Sequence, residues 1–362
     1  MLKRIFADNF RALVNFEFRP GRLSLLLGDN GSGKTSVFDV LGKLHDLIVM
    51  GATTTDRFAF TRTKWEIREL QRFELDFEES FGAYRYALEI QPGSQEKPVI
   101  RSESVTLDGE PLYRFSDGEV HLAYDDRSAG SVFPFRADQS FLTNLEAGRT
   151  HRLGRLAGFR DLVAGLRIIQ PNPFAIEATS RQDLPFLGRD GLKFAAFFDH
   201  LNDEQPDVRE DLEEHLREVI SGFRRFRFQR IGQDAKLLLA TLGDGDLKGE
   251  FNLLELSEGQ RVLVVLYAAV LAHRSGSLLC FDEPDNFVSL TEIQPWLQLL
   301  RDVLDERGGQ ALVISHHPEV MDYMAVDEIW RFERPAGPVI ARPYEADGPA
   351  DLKLSELIVH GA

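Results

Sequence analysis

The sequence predicts an α/β fold in which a mixed sheet carries an antiparallel β subdomain and a helical insertion, without a long coiled coil. A glycine-rich run at residues 28–35 follows an apolar strand, Leu23 to Leu27, and precedes a helical segment. Short alternating segments lie between Trp65 and Tyr124, and helical periodicity dominates from about Ser140 to Ile220. Helices and buried strands alternate again from Phe251 to Ala350, so the insertion is expected to separate two halves of one α/β unit.

Local signals support each element in turn. Two short apolar strands and the turn Pro20-Gly21 precede the glycine-rich run. The alternating segments are separated by turn-forming pairs and therefore predict antiparallel hairpins; these pairs are Pro92-Gly93, Asp108-Gly109 and Asp117-Gly118. Residues Pro206 to Ile220 predict one amphipathic helix, and no heptad pattern continues far enough for a long coiled coil.

These signals divide the chain into four segments. Residues 1–140 are expected to form an N-terminal lobe with the glycine-rich loop and the hairpins, and residues 141–222 a helical insertion. Residues 223–350 are expected to form a C-terminal lobe, in which Phe223 to Leu242 returns to strand character. Residues 351–362 form the predicted tail helix, centred on Leu352 to Val359.

Composition limits the classes of protein to which the chain can belong. Its 362 residues, of which 43% are hydrophobic, are enough for a sizeable core. The net charge of -16 excludes a surface that attracts nucleic acid everywhere, so a DNA contact requires a local basic patch. Met1 to Phe10 lacks the continuous apolar core of a secretion signal, and the apolar stretch Val262 to Ala272 is shorter than the ~20 residues that span a bilayer. We therefore expect a cytoplasmic protein without a membrane partner, and we expect the single cysteine, Cys280, to be a buried strand residue.

The glycine-rich run, Gly28-Asp29-Asn30-Gly31-Ser32-Gly33-Lys34-Thr35, fits the phosphate-loop pattern G-x-x-x-x-G-K-[ST] at every fixed position. Glycines let backbone N–H groups converge on phosphates, Lys34 supplies a positive charge, and the Thr35 hydroxyl suits Mg²⁺. The strand before the run and the helix after it provide the structural context that the motif requires. The sequence therefore predicts a nucleotide site.

A pair of carboxylates ends a later apolar strand. Residues 278–281 lead directly into Asp282 and Glu283, whose side chains point to opposite sides of the strand. Asp282 is expected to hold Mg²⁺ through a water, and Glu283 to polarise the attacking water.

The pentapeptide Leu256-Ser257-Glu258-Gly259-Gln260 precedes a helix. Ser257 is a natural N-cap, and Gly259 is expected to leave space for a phosphate at the helix terminus. A second anion site would be redundant within one protomer, so Ser257, Gly259 and Gln260 are expected to contact the γ-phosphate bound to a second copy.

A histidine pair follows the next buried strand, Ala311 to Ile314. His316 is expected to contact the γ-phosphate from the end of this strand, and His317 is the competing candidate.

In this order, the motifs resemble the ABC-type ATPases of the RecF/SMC superfamily, and within it the short AAA-type ATPases related to the overcoming-lysogenization-defect family. The resemblance covers both ends of the chain: Asn9-Phe10-Arg11, GDNGSGKT, LSEGQ, CFDEP and ISHHPE. It implies ATP and Mg²⁺ as ligands, Glu283 as catalytic base, His316 as switch residue and Asp285 in a dimer-sensing loop. It also implies that phosphate and Mg²⁺ are bound by Asn30, Gly31, Ser32, Gly33, Lys34, Thr35 and Ser36, with Ser257 to Gln260 as the signature and Arg11 lining the nucleotide.

Other features of the resemblance are less direct. The Q-loop glutamine, a metal contact in the family, is either Gln139 or Gln170, and we prefer Gln139. Residues 284–290 differ from the Glu-Asn-Gly-Leu-His-Pro version of many relatives, which leaves the contacts across a dimer open. No acidic cluster after His316 suggests a fused Toprim nuclease, so a nuclease or effector partner is expected to be a separate polypeptide.

Two arginine-rich stretches are candidates for a DNA contact. One contains Arg149, Arg152, Arg155 and Arg160; the other contains Arg224, Arg225, Arg227 and Arg230, interleaved with phenylalanines. Such residues bind backbone and bases, but they are equally typical of a solvated face.

These observations favour an ATPase that dimerises around ATP and controls a partner in DNA repair, DNA processing or antiphage defence. The first alternative is a slowly hydrolysing scaffold or sensor. The second is a transporter ATPase subunit, against which the long insertion and the Asn9-Phe10-Arg11 start both argue.

Overall fold

The computed structural model describes residues 1–145, 152–324 and 328–344. Its α-helices are α1 Lys34–Ile48, α2 Thr54–Phe58, α3 Gly154–Ala164, α4 Phe194–Glu204, α5 Pro206–Val219, α6 Glu258–Leu271, α7 Leu290–Arg307 and α8 Pro318–Tyr323. The first nine strands are β1 Leu2–Asp8, β2 Phe16–Phe18, β3 Leu23–Leu27, β4 Gln71–Glu79, β5 Gly82–Pro92, β6 Pro98–Leu107, β7 Glu110–Ser116, β8 Glu119–Leu122 and β9 Ser131–Pro134. The others are β10 Arg167–Ile169, β11 Thr179–Ser180, β12 Phe223–Ile231, β13 Ala235–Leu242, β14 Gly249–Asn252, β15 Leu278–Asp282, β16 Gln310–Ile314, β17 Glu328–Glu333 and β18 Ile340–Pro343.

These elements form two compact units. Within the described ranges, the first unit comprises residues 1–145, 152–166, 276–278 and 328–344. The second comprises residues 167–275 and 279–324. The division into four segments stays a prediction.

An antiparallel sheet in the order β2-β1-β4-β5-β6-β7-β8-β9 dominates the first unit. The predicted turns Asp108-Gly109 and Asp117-Gly118 link consecutive strands, and all four residues have positive φ, as a two-residue hairpin turn of type I′ requires. Phe159 of α3 packs on the sheet with its ring centroid 5.4 Å from that of Tyr86. Burial of such a ring stabilises the fold by about 1.5–3 kcal/mol.

The first unit also contains the strand that leads into the glycine-rich loop. β17 pairs in parallel with β3, from Glu328 opposite Ser24 to Arg331 opposite Leu27, and β18 pairs antiparallel with β17. The sheet is therefore mixed, as the sequence predicts.

Two groups of strands occur in the second unit. β15 lies between β10 and β16, and β13 lies between β11 and β12. The apolar stretch that is too short to span a bilayer lies in α6, in which every residue from Val262 to Leu271 is buried. Cys280 is fully buried in β15, and burial raises the pKa of its thiol.

The helical stretch is less uniform than predicted. α5 confirms the amphipathic helix, but the strands β10 and β11 also lie in this part of the chain. They have only three and two residues, respectively, so the sequence shows no alternating pattern from which they could be predicted. The longest helix of the described ranges, α7, has 18 residues, so none of them forms a long coiled coil. Among the same residues, no helix combines the length and apolarity needed to cross a membrane. The predicted tail helix lies outside the described residues.

Candidate nucleotide-binding site

The phosphate loop connects β3 to α1 in the first unit. Gly28, Gly31 and Gly33 have φ values of 143°, 81° and 101°, which L side chains rarely adopt. A Cβ on Gly28 would lie 2.2 Å from the Phe332 carbonyl oxygen, whereas one on Gly31 would meet nothing within 4 Å. The loop is therefore tightly packed at Gly28 and open at Gly31.

The N-terminus of α1 can bind an anion. Gly33 is its N-cap and provides no side-chain hydrogen bond, so the first backbone N–H groups are not capped by a side chain. Lys34 is buried, and its Nζ donates to the carbonyl oxygens of Gly28 (2.5 Å) and Asp29 (3.1 Å). The ammonium group thus lies inside the loop, where it can neutralise phosphate charge.

The other predicted residues of this loop differ in their exposure to solvent. Asn30, Gly31 and Thr35 are exposed, Ser36 is half-buried and Ser32 is buried. The Thr35 hydroxyl is a suitable Mg²⁺ ligand. Arg11, exposed, forms an ion pair with Asp39 of α1, and its N–H donates 2.7 Å to the Thr61 carbonyl. Its contact with nucleotide stays a prediction.

Gln139, the preferred Q-loop residue, also lies in the first unit. Its Nε2 donates 2.9 Å to the carbonyl of Gly51, three residues after α1. The next residue, Ser140, is buried, and its hydroxyl donates to both carboxylate oxygens of Glu103 at 2.8 and 3.0 Å. The alternative, Gln170, is an exposed residue of the second unit.

Glu103 lies at the centre of a buried hydroxyl network. Besides Ser140, the phenols of Tyr86 and Tyr113 donate to it at 2.9 and 2.7 Å. Burial raises the pKa of the Glu103 carboxyl, while the three hydroxyl donors act in the opposite direction. The network attaches the residue after Gln139 to three strands of the antiparallel sheet.

The signature helix, α6, begins as predicted. Ser257 is its N-cap: the hydroxyl accepts a 3.2 Å hydrogen bond from the Gln260 N–H, and Gln260 Oε1 accepts a 3.0 Å bond from the Ser257 N–H. Ser257 is exposed and Gln260 is half-buried.

The backbone carbonyl of Phe287 approaches Gly259 closely, and the approach of a phosphate to this helix terminus stays a prediction. A Cβ on Gly259 would lie 2.6 Å from the Phe287 carbonyl oxygen, so this glycine is required by the approach of the 284–290 segment. Phe287 has a φ of 70°, and its ring packs edge-on against Phe174 with centroids 5.7 Å apart. The side chain of Asp285 in this segment is half-buried.

Asp282 ends β15 and is 2% exposed. The Arg189 guanidinium forms an ion pair with it, with Nη2 3.4 Å from Asp282 Oδ2. A carboxylate at this position suits Mg²⁺, and the arginine offsets its charge. Among the described residues, no group of three or more His, Cys, Asp or Glu side chains forms a metal centre, so a bound Mg²⁺ would rely on water and phosphate oxygens as well.

Glu283 follows in a left-handed conformation with φ 52°. Its N–H donates 2.8 Å to the carbonyl of Ile314, the last residue of β16, and its Oε2 accepts 2.7 Å from Asn286 Nδ2. His316 is exposed and lies two residues beyond Ile314, whereas the N–H of His317 donates 3.0 Å to the Ser315 hydroxyl. The ends of β15 and β16 therefore bring Glu283 close to the start of the histidine pair.

The arginine-rich stretches are largely paired with carboxylates. Arg224 and Arg227 form ion pairs with Asp244 and Glu250. Similarly, Arg152, Arg155 and Arg160 pair with Asp126, Asp125 and Asp161, respectively. These pairs favour the solvated-face interpretation over DNA binding. Arg149 lies outside the described residues.

Two residues of the site were not predicted. Asn286 carries a usable signal, because it follows Glu283 by three residues and an amide at that spacing can reach back in a turn. Arg189 carries none: it is 93 residues from Asp282, and no local pattern marks it.

Comparisons with known proteins agree with this geometry. A sequence profile of the family described as "AAA domain, putative AbiEii toxin, Type IV TA system" matches residues 23–322. The SMC head bound to the C-winged helix domain of ScpA is similar in structure, with a TM-score of 0.55 and 13% identity over 95% of this chain and 98% of that one. The SMC head domain from Thermotoga maritima has a TM-score of 0.47 and 16% identity over 95% and 99%. No curated protein matches significantly. The chain has the P-loop ATPase fold of the SMC head, and its relation to the overcoming-lysogenization-defect family stays a prediction.

Proposed function

The chain belongs to the family described as AAA domain, putative AbiEii toxin, type IV TA system, and from that premise we propose that it binds and hydrolyses ATP as a dimer. Its phosphate loop supports binding, since the open helix terminus and the buried Lys34 suit a triphosphate. The observation that carries hydrolysis is the hydrogen bond from the Glu283 N–H to the Ile314 carbonyl. It holds a carboxylate near the strand end that carries His316.

In the proposed reaction, Glu283 accepts a proton from the attacking water while Asn286 holds its carboxylate. Lys34 and the N-terminus of α1 stabilise the charge of the β- and γ-phosphates. His316 contacts the γ-phosphate and makes the site sensitive to hydrolysis. Mg²⁺, held by Thr35 and through water by Asp282 with Gln139 as a further contact, would neutralise phosphate charge.

The second copy supplies the signature. Ser257 is exposed at the N-terminus of α6, where it can accept a hydrogen bond within its helix and still face a phosphate of the partner. The dimer would open after hydrolysis and so control a separately encoded nuclease or effector in DNA processing, toxin–antitoxin function or antiphage defence. DNA itself is the less favoured partner, given the carboxylate pairs of the arginines.

The proposed ATP-dependent dimer can be tested by measuring the molar mass of the Glu283→Gln variant by light scattering, with and without Mg-ATP. We expect a monomer-to-dimer shift that is retained with Ser257→Thr and lost with Ser257→Asp, because both residues cap a helix but only aspartate repels phosphate. The proposal would be contradicted if the mass of Glu283→Gln, alone or combined with Ser257→Thr or Ser257→Asp, did not change when ATP is added.

The rate of ATP hydrolysis distinguishes an ATPase from a slowly hydrolysing scaffold or sensor. We expect Glu283→Gln to lower the ATPase rate by at least about 100-fold. An unchanged rate would favour the slowly hydrolysing scaffold or sensor.

A further inference from the structure

Two exposed side chains of the first unit lie against each other in a region not yet assigned a role. The guanidinium carbon of Arg334 lies 5.1 Å from the centroid of the Trp65 ring. Trp65 is 47% exposed, and Arg334 is also exposed. A cationic plane and an indole face are thus available to a flat ligand.

The turn that carries Arg334 adjoins the phosphate loop on both sides. A Cβ on Gly28 would lie 2.2 Å from the Phe332 carbonyl oxygen, and one on Gly33 would lie 2.4 Å from Val339 Cγ2. Arg334 follows Phe332 by two residues. Since extended chain rises about 3.3 Å per residue, its Cα is within about 7 Å of that contact.

The segment that contains Trp65 is held by the buried side chain of Asn9. The N–H of Thr63 donates 3.1 Å to Asn9 Oδ1, and Asn9 Nδ2 donates to the carbonyls of Arg68 (2.7 Å) and Leu70 (3.1 Å). These bonds hold the segment on both sides of Trp65. The ring is therefore presented from an anchored segment.

The same N-terminal segment reaches the turn of Arg334. The N–H of Val339 donates 3.0 Å to the carbonyl of Ala12, three residues after Asn9. Trp65 and Arg334 consequently have a common support beside the phosphate loop, and neither contributes to the loop itself.

We propose that Trp65 and Arg334 bind the purine base of the nucleotide whose phosphates occupy the phosphate loop. The base stacks on the exposed indole face, next to the guanidinium group. Because every base offers a π face, this contact recognises the presence of a base more than its identity. The inference rests on the proposed nucleotide binding and adds a base subsite to it.

Calorimetric titration with ATP and with inorganic tripolyphosphate, at matched Mg²⁺, tests the base subsite. Trp65→Ala should weaken ATP binding about tenfold and leave tripolyphosphate binding unchanged. ATP should also quench wild-type tryptophan fluorescence, and most of this quench should disappear in the variant, because Trp296 is fully buried and the third tryptophan, Trp330, is half-buried and packs edge-on against Phe18. As a control, Phe81→Ala removes another exposed aromatic side chain of the same unit and should change the affinity for neither ATP nor tripolyphosphate.

The Lys34→Ala variant distinguishes failure of the base subsite from failure of the proposed nucleotide binding. If Lys34→Ala loses both ligands while Trp65→Ala binds ATP like wild type, or loses both ligands equally, the base subsite is wrong and nucleotide binding stands. If the wild type binds neither ligand, the proposed function itself is wrong.

Discussion

The N–H of Glu283 donates a 2.8 Å hydrogen bond to the carbonyl of Ile314, and this bond aligns the ends of β15 and β16. Glu283 has a φ of 52°, a conformation about 1–2 kcal/mol unfavourable for an L-residue. Its side chain therefore leaves the strand in a direction that regular β geometry does not offer. Backbone strain of this kind is characteristic of functional positions.

Asn286→Ala should lower kcat about tenfold with little change in KM. Its amide donates 2.7 Å to Glu283 Oε2, so its loss frees the proposed base without touching the phosphate loop. Steady-state ATPase kinetics measure the effect. Asn202→Ala, which removes a 2.9 Å bond to Asp203 from another exposed asparagine, is the matched control. Equal rates for both variants would remove Asn286 from the mechanism.

Arg189→Gln should lower the Mg²⁺ concentration needed for half-maximal nucleotide binding. The guanidinium lies 3.4 Å from the Asp282 carboxylate and repels a divalent cation there. Arg209→Gln removes an arginine that pairs with Glu210 and should have no effect. Fluorescent-nucleotide titration at several Mg²⁺ concentrations gives the comparison; a higher Mg²⁺ requirement in Arg189→Gln would show that the arginine assists the site.

Gly28→Ala should destabilise the chain by roughly 1–3 kcal/mol more than Gly31→Ala. Both positions have positive φ, but only at Gly28 would the added Cβ meet a backbone oxygen, 2.2 Å away. Denaturant unfolding measures the loss of stability in both variants, and the difference between them gives the steric cost of the added Cβ apart from the cost of a positive φ. Identical losses would mean that the Phe332 carbonyl moves aside freely.

Glu103→Gln should change how stability depends on pH. Burial raises the folded-state pKa of this carboxyl above its ordinary value of 4.5, so the folded state retains the proton to higher pH than the unfolded chain does. Its contribution is fully present below the unfolded pKa and is lost as pH rises through the folded pKa. The free energy of unfolding of the wild type should therefore fall relative to that of the variant as pH rises above 4.5. The prediction would be contradicted if the free energies of unfolding of the wild type and of Glu103→Gln, measured by denaturant titration, differed by the same amount at acid and at neutral pH.

The sequence predicts those parts of the fold and site that depend on neighbouring residues. The phosphate loop, the Ser257 cap and the Asp-Gly turns all lie within a few positions, where backbone geometry restricts residue type. The Arg189–Asp282 and Ser140–Glu103 contacts join residues 93 and 37 positions apart. Such pairs depend on how the strands are arranged. The alternation that puts Glu103 on the same face as Val105 and Leu107 predicts its burial, but it does not show which hydroxyl groups reach the carboxylate.

The burial of Cys280 makes the protein a convenient scaffold for chemical labelling. It is the single cysteine of the sequence, it is fully buried in β15, and its raised thiol pKa leaves little reactive thiolate at neutral pH. Maleimide reagents should therefore ignore the native chain and modify only a cysteine introduced elsewhere. Spectroscopic probes can be placed one at a time at exposed positions such as Phe81 or Leu254 without first removing a native thiol.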